Sequence, residues 1–379
     1  MYITKLSVDG FKNLKKIDFV PHERLNILCG SNAQGKTNLI EAIWLCSGAK
    51  SFRNTKDRRM IGDGEEAMSI RLGFRDSVRD QDIVFSASRQ NLKEKNVTLN
   101  GVKQKAPSKL FGNLNCVIFT PEDLELSKGS PEKRRQFLDL SISQIKNSYS
   151  AVVDKYETLV DQRNTLLKNI NYGRSSPEEL EVWDIQLAQM GAYISLLRYN
   201  YTKKLNVYAQ RLYDEISEGR EKLDISYYST VFSNLEGRTD YAGDLAGEYL
   251  ERLKENTEDD LKAGFTQKGI HRDDIVCRIN GALAREDASQ GQHRSVALIL
   301  KLAQAYILEE EIHDFPCILL DDVLSELDLS RQKFVISKIH NMQVFITCCD
   351  MNIPFDERSH GKMFTIKDGR LKSLNLKSK

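Results

Sequence analysis

Several features that would settle the class of this chain at once are missing from it. No hydrophobic run is long enough to cross a bilayer: the most apolar stretch, Val296 to Leu308, is broken by Lys301 and Gln304 and falls short of the ~20 residues a span requires. The segment Met1 to Phe11 carries no apolar core, so no secretory leader is expected. Proline is scarce, 7 in 379 residues, and 40% of the chain is hydrophobic and 29% charged, which excludes disordered and fibrous proteins. No CxxC pair occurs among the seven cysteines (29, 46, 116, 277, 317, 348 and 349), which excludes zinc ribbons and disulfide frameworks. Several of these cysteines sit in apolar, strand-like runs, where a thiol behaves as a small hydrophobe. Charge of one sign is also lacking. Lys and Arg number 55 against 54 Asp and Glu, a net of +1, so any nucleic-acid binding must come from a local patch. A soluble, cytoplasmic protein without membrane contact is expected. At ~150 residues per domain, it has two or three domains, or one large domain with an insertion.

What is present falls into three regions, 1–130, 131–265 and 266–379. The first alternates strands and turns: Tyr2 to Val8, Lys16 to Val20, Leu25 to Cys29, Ser69 to Phe74, Asp82 to Ala87, Val97 to Leu99, and Cys116 to Phe119. Asn100-Gly101 predicts a hairpin turn. In the second region Ser130, Pro131 and Glu132 form a helix start. Apolar positions then run Leu138, Ile142, Ile145, Tyr149, Val152, Tyr156 and Leu159 in steps of four and three, and the register continues to Ile170. After a break at Asn171 to Gly173, Ser176-Pro177-Glu178 starts a second helix carrying Trp183, Leu187, Met190, Ile194, Leu197 and Tyr201. Two such helices of ~40 residues make an antiparallel hairpin of coiled-coil type, or two members of an ordinary bundle; the pattern fits both. In the third region Asp274 to Ile279 and Asn280-Gly281 predict a second hairpin, Ser295 to Leu308 a helix, and Cys317 to Leu320 and Val344 to Thr347 buried strands. The basic end, Lys367 to Lys379, reads as loose. Alternating strands and helices imply an α/β sheet covered on both faces.

The chemistry begins at residue 30. Gly30, Ser31, Asn32, Ala33, Gln34, Gly35, Lys36 and Thr37 fit G-x-x-x-x-G-K-S/T, with an apolar strand before them and a helix from Asn38 to Leu45 after them. A glycine-rich turn that held a lysine by chance would not carry both flanks. The glycines let successive N–H groups point inward, and the helix N-terminus adds its dipole, so the loop cradles phosphates. Lys36 would reach the β- and γ-phosphates of ATP, and the Thr37 hydroxyl would ligate Mg²⁺. Such a loop needs a carboxylate at the end of a buried strand. Cys317 to Leu320 followed by Asp321 and Asp322 supplies it, with Asp321 in the metal shell and Asp322 placed as the base that polarises water.

Ala288, Ser289, Gln290, Gly291 and Gln292 precede the helix at Ser295. Here the sequence resembles the ABC ATPase family, whose signature is L-S-G-G-Q: Ser289, Gly291 and Gln292 match, and Ala288 and Gln290 depart. Alone, a polar helix cap would explain these residues; their place between the P-loop and the acidic strand is the order the family shows. In that family two heads clamp two ATP molecules, each between the P-loop of one subunit and the signature of the other. The run Asp321 to Asp328 is similar to the family's DE-x-x-SALD.

The resemblance sharpens on Phe11 to Lys16, the loop and its helix, Ser51-Phe52-Arg53, Phe119 to Asp139, His271 to Asp274, and Ile318 to Asp328. Together these are similar to the bacterial RecF family. It covers both halves of the head and the start of the insertion; between about 140 and 265 it rests on the helical hairpin and its position. The resemblance implies a P-loop ABC-type ATPase head with a mixed sheet, split by a helical lobe. Head halves are expected at 1–130 and 266–379, around a lobe at 131–265. It further implies ATP-dependent DNA binding in recombinational repair and replication, at junctions of single-stranded gaps and duplex. RecR and RecO would be partners in loading recombinase and supporting the SOS response, and ATP would drive homodimerisation.

Two departures from general ABC heads bear on rate. Asp322 replaces the usual catalytic Glu and is one methylene shorter, and Thr347-Cys348-Cys349-Asp350 offers no histidine where those heads carry a switch His. Both imply slow hydrolysis, suited to a timer or clamp. Candidate basic clusters for DNA are Arg53/Lys56/Arg58/Arg59, Lys93/Lys95/Lys103/Lys105 and Lys133/Arg134/Arg135, the last able to face a structural acid instead. Nothing resembles a recognition helix or zinc finger, so phosphate contacts should dominate. His271 and His293 read as packing residues. Alternatives are the ATPase subunit of a membrane transporter, an SMC-type structural organiser, and a nuclease partner head; no separate acidic cluster for cleavage is evident.

Overall fold

A computed structural model describes residues 1–349 and 361–374, with the backbone alone for 92–94 and 373–374. Asp350 and residues 375–379 of the basic end lie outside the described residues. The chain divides into two compact units, residues 1–124 with 294–379, and residues 125–293.

The first unit holds two six-stranded sheets. One is antiparallel and follows the order Ile17–Phe19, Tyr2–Asp9, Ala67–Arg75, Asp80–Ser88, Asn91–Leu99, Val102–Gln104. Its strands alternate: Met68, Ile70, Leu72 and Phe74 are buried while their neighbours face out, as expected where one face is covered. The hairpin expected at Asn100-Gly101 forms, both residues having positive φ (51° and 77°). The other sheet runs Arg370–Leu374, Gly361–Lys367, Leu25–Cys29, Val344–Cys348, Cys317–Leu320, Cys116–Phe119. All its pairs but the first are parallel. Leu25–Cys29, Cys317–Leu320 and Cys116–Phe119 are buried at every position, so apart from the buried Asn26 they read as apolar runs. Because these strands run parallel and in register, the loops after Cys29, Phe119, Leu320 and Cys348 leave from one edge of the sheet. In open α/β sheets that carboxyl edge is where ligands bind.

The second unit is mainly helical. The single helix expected from Pro131 to Ile170 is two, Pro131–Ile145 and Tyr149–Asn171. Lys146 leaves the helical region at φ −127°, ψ 89°, and the Tyr149 N–H bonds the Lys146 carbonyl at 2.9 Å. The apolar spacing ran across this turn because both helices bury the same stripe. The second arm helix is continuous over Leu180–Ser217. Its buried residues include Leu187, Ile194, Leu205 and Leu212, each worth about 1.5–3 kcal/mol of transfer free energy. It packs against Tyr149–Asn171, helix Ala246–Glu255 and strand Leu223–Tyr228, so the arm is part of a bundle with a small sheet. The unit extends to residue 293, past the 265 expected for the lobe, because Asp274–Ile279 pairs along its length with Leu223–Tyr228.

His271, Asp273 and Asp274 work inside this unit. Asp274 takes both Arg134 Nε and Nη2, at 2.7 and 2.8 Å. Asp273 accepts from the Thr230 N–H (2.7 Å) and the Tyr227 hydroxyl (2.5 Å), while Arg135 donates to its carbonyl at 2.8 Å. His271 sits between the Thr266 carbonyl and the Tyr156 hydroxyl, and burial pushes its imidazole down to about 4. Arg134 is 3% exposed, so it faces a structural acid and is closed to DNA phosphate.

Candidate functional site

The phosphate loop is built by what its glycines permit. Helix Lys36–Leu45 starts on Gly35, at φ 111°, with no side-chain cap on its first turn. A Cβ on Gly35 would lie 2.6 Å from Leu14 Cδ2, and one on Gly30 would lie 2.4 Å from the Ile366 carbonyl oxygen. Only glycine fits either position, and the uncapped N–H groups of the helix start remain for an anion. Ala33 also adopts positive φ, 62°.

Lys36 is 4% exposed, and its ammonium donates to the carbonyls of Gly30 (2.6 Å) and Ser31 (3.2 Å) and lies 3.4 Å from Cys349 Sγ. Cys349 Sγ in turn meets Asn32 Oδ1 at 2.9 Å. Gln34 accepts from the Asp368 N–H at 2.6 Å. Asn38 donates to Asn13 Oδ1 (2.7 Å), Asn13 donates to the Ala33 carbonyl (2.9 Å), and Arg53 donates to Asn38 Oδ1 (3.2 Å). Beneath them Glu41, fully buried, pairs with Lys12 and accepts from Ser51 Oγ at 2.5 Å. The runs containing Lys12 and Arg53 therefore brace the loop helix from two sides.

Asp321 stands beside the loop. Its Oδ1 accepts the hydroxyls of Thr37 and Thr347, both at 2.9 Å. Burial pushes its carboxyl above the ordinary range, and these two hydroxyls pull it part of the way back. Asp322 is held at φ 54°, with its N–H donating to Thr347 Oγ1 at 2.9 Å and its carbonyl accepting from Ser325 at 2.7 Å. Thr347 thus positions both acids. Sequence reading passed over it: a threonine in an apolar strand looks like packing until topology inserts that strand between the loop strand and the acidic strand. Among the described residues no cluster of three or more His, Cys, Asp or Glu could hold a metal. A Mg²⁺ at Thr37 and Asp321 would complete its shell with phosphate and water, its usual habit.

Ser289, Gly291 and Gln292 belong to the second unit. Ser289 and Gln292 form a reciprocal cap: the Ser289 N–H donates to Gln292 Oε1 at 2.7 Å, and the Gln292 N–H donates to Ser289 Oγ at 3.2 Å. They open helix Gln290–Ile312, and Ser289 remains exposed. Gln292 also donates to Glu221 at 2.8 Å. His293 meets Ser127 Oγ at 2.8 Å. Of the basic clusters, Arg58, Arg59, Lys103 and Lys105 are exposed on the first unit, and Lys95 pairs with Asp57 at 2.8 Å, which links the first two clusters. The side chain of Lys93 lies outside the described residues.

The family described as RecF/RecN/SMC N terminal domain matches residues 2–370. The largely parallel sheet, the phosphate loop and the acid-tipped strand one place removed from the loop strand are those of an SMC-like, ABC-type ATPase head. The "DNA replication and repair protein RecF" of Alkaliphilus oremlandii is 35% identical over 372 residues, covering 98% of this chain and all of that one. Its counterpart in Clostridium beijerinckii is 35% identical over 374 residues, 98% of each. The solved "recombination mediator protein RecF-ATPrS in RecFOR pathway" superposes with a TM-score of 0.90 at 36% identity, covering 98% of each chain. An Smc head solved with the C-winged helix domain of ScpA shares the fold, at TM-score 0.57 and 16% identity. The chain belongs to the RecF family.

Proposed function

We propose that this protein is an ATP-gated DNA-binding protein of recombinational repair and replication. It acts at junctions between single-stranded gaps and duplex, with RecR- and RecO-type mediators, to load recombinase and support the SOS response. The observation that carries this reading is the contact of Thr37 with Asp321 beside a buried Lys36, in a chain that matches the RecF family over nearly its whole length. No helix among the described residues is long and apolar enough to cross a membrane, which fits action in the cytoplasm. The arm helix Leu180–Ser217, 38 residues or about 57 Å, is short for a structural organiser.

The residues take the following parts. Gly30, Ser31, Asn32, Ala33, Gln34, Gly35 and Asn38 shape the cradle and offer backbone N–H groups to the phosphates. Lys36 turns its ammonium from the Gly30 and Ser31 carbonyls to phosphate oxygen. Thr37 and Asp321 hold Mg²⁺, and Asp322, fixed by Thr347, orients a water and accepts its proton. Its short reach makes hydrolysis slow. Bound ATP supplies a γ-phosphate that ties two heads together until it is cleaved. Ser289, Gly291 and Gln292 of a second copy read that phosphate, so the functional head includes the signature, and residues 1–130 and 266–379 act together around the lobe at 131–265.

Two measurements test this reading. Binding to gapped duplex should depend on ATP, exceed binding to blunt duplex, and fall steeply with salt as phosphate contacts are screened; equal binding with and without ATP would sink the gate. Ser289→Arg should leave ATP affinity nearly unchanged yet keep the protein monomeric with ATP in light scattering, because the new side chain fills the place of the phosphate. A variant that still dimerises would remove the signature from the interface.

A further inference from the structure

The second unit carries a cavity of about 330 Å³, within the size range of ligand sites. Its wall includes Asp274 to Arg278, which is the edge of a strand. On one side that strand pairs throughout with Leu223–Tyr228. On the other, Ala282–Leu283 reaches only Ile279 and Arg278, so Asp274 to Cys277 have no strand partner there among the described residues. The pair flanking a two-residue hairpin is hydrogen-bonded, so the backbone groups of Ile279 point to this side, and by the period of two so do those of Cys277 and Ile275. The Ile275 N–H is met by its neighbour's carboxylate, Asp274 Oδ1, at 2.7 Å. By that period the Cys277 N–H and the carbonyls of Ile275 and Cys277 point to the side of the strand on which both residues line the cavity.

The same wall is strongly basic. Arg134, Arg272, Arg278 and Arg285 line it against a single carboxylate, Asp274, whose two oxygens are both taken by Arg134. The other three guanidinium groups are exposed and held in place: Arg272 over the Phe265 ring at 5.2 Å, Arg278 on the Gly281 carbonyl at 3.2 Å, and Arg285 on the exposed Glu286 at 2.9 Å. An exposed pair of that last kind is weak, so Arg285 stays available. Pro131, at the first turn of Pro131–Ile145, also lines the cavity, and that turn has no side-chain cap from Ser130; its dipole adds to the positive potential.

We propose that this cavity docks an extended acidic peptide segment of a partner protein. The segment adds a strand to Asp274–Cys277 and sets carboxylates on Arg272, Arg278 and Arg285. Main-chain bonds hold such an added strand, and alternate side chains select it. A nucleic-acid strand has no N–H and C=O repeat to complete the edge, which favours peptide over DNA.

The test is fluorescence anisotropy with the full-length chain and a labelled decapeptide alternating Asp and Val, beside its Lys-Val counterpart, its alternately N-methylated form, and a labelled ten-nucleotide oligo-dT. Saturable binding of the Asp-Val peptide alone is expected, with affinity falling about tenfold or more in Arg272→Ala/Arg278→Ala. Arg278→Gln serves as a milder variant, and unchanged thermal melting shows that each remains folded. Undiminished binding of the N-methylated peptide would reduce the site to nonspecific charge and overturn the proposal. So would unchanged affinity in the folded arginine variants, or oligo-dT binding that those variants abolish while the peptide does not bind.

Discussion

Lys36→Met is expected to weaken ATP binding by roughly a hundredfold or more while the protein stays folded. Truncating one partner of a buried, hydrogen-bonded charge pair costs about 2–5 kcal/mol, and each 1.4 kcal/mol is about tenfold in affinity. The ammonium lies at the mouth of a helix whose first turn has no side-chain cap, so it and the helix dipole act on the same phosphates. Its ammonium donates to the carbonyls of Gly30 and Ser31 and to Cys349 Sγ, and methionine fills much of the same volume without a donor. The stability cost is then about 1–3 kcal/mol for carbonyls left short of a partner. Calorimetric titration with ATP, together with thermal melting, separates the two effects. A folded variant that binds ATP within threefold of the parent would show that the loop holds phosphate by backbone alone. ATP-dependent binding to gapped DNA should vanish in the same variant.

The phosphate loop was legible because all its parts are contiguous: an apolar strand, glycines at the two places where a Cβ collides, and a helix. Asp321 and Asp322 were legible because two acids at the end of four buried apolar residues have few uses other than a site. Thr347 was not, since its role depends on which strands are neighbours, and that order is set by long-range packing. Asn13 was hidden for a similar reason: it lies in an early turn and reaches the loop only because the first strands fold back on the second sheet's edge. The helix break at Lys146 escaped because both helices keep one apolar stripe across it. His271 read as a packing residue and Arg134 as able to face a structural acid, but which groups the run His271 to Asp274 braces could not be read, because Arg134, Tyr156, Tyr227 and Thr230 lie far along the chain. The strand Asp274–Ile279 was read as head because it follows the lobe in sequence; pairing with Leu223–Tyr228 places it in the second compact unit.

Arg163→Met is expected to destabilise the second unit by about 3–5 kcal/mol, the cost of breaking a buried ion pair by removing one partner. Arg163 is fully buried in the arm and faces two carboxylates, Asp184 at 2.6 Å through Nε and Asp260 at 2.6 Å through Nη1, with Thr266 Oγ1 at 2.9 Å. Asp184 and Asp260 are themselves 3% and 0% exposed, so neither can turn to water. Burial already pushes the Asp184 carboxyl above its ordinary range, and Arg163 pulls it down; without the guanidinium it rises further. The sign of the pH effect follows. A carboxyl whose folded value lies above its unfolded value of about 4 favours the fold only while protonated, so stability is lost as pH rises through the folded value. The variant's deficit should therefore shrink as pH falls toward the unfolded value of about 4 and be fully developed only above the raised folded value. The chain has two tryptophans, Trp44 in the first unit and Trp183 beside Leu166, Leu167 and Leu180 in the second. In a Trp44→Phe background, Trp183 fluorescence reports unfolding of the arm alone. Replacing all three charges, Arg163→Met with Asp184→Leu and Asp260→Leu, should recover most of the loss, because apolar packing of similar volume can stand in for a buried ion cluster. A loss below 1 kcal/mol, or one indifferent to pH, would mean that water reaches the carboxylates and that the arm is held by its apolar stripe alone.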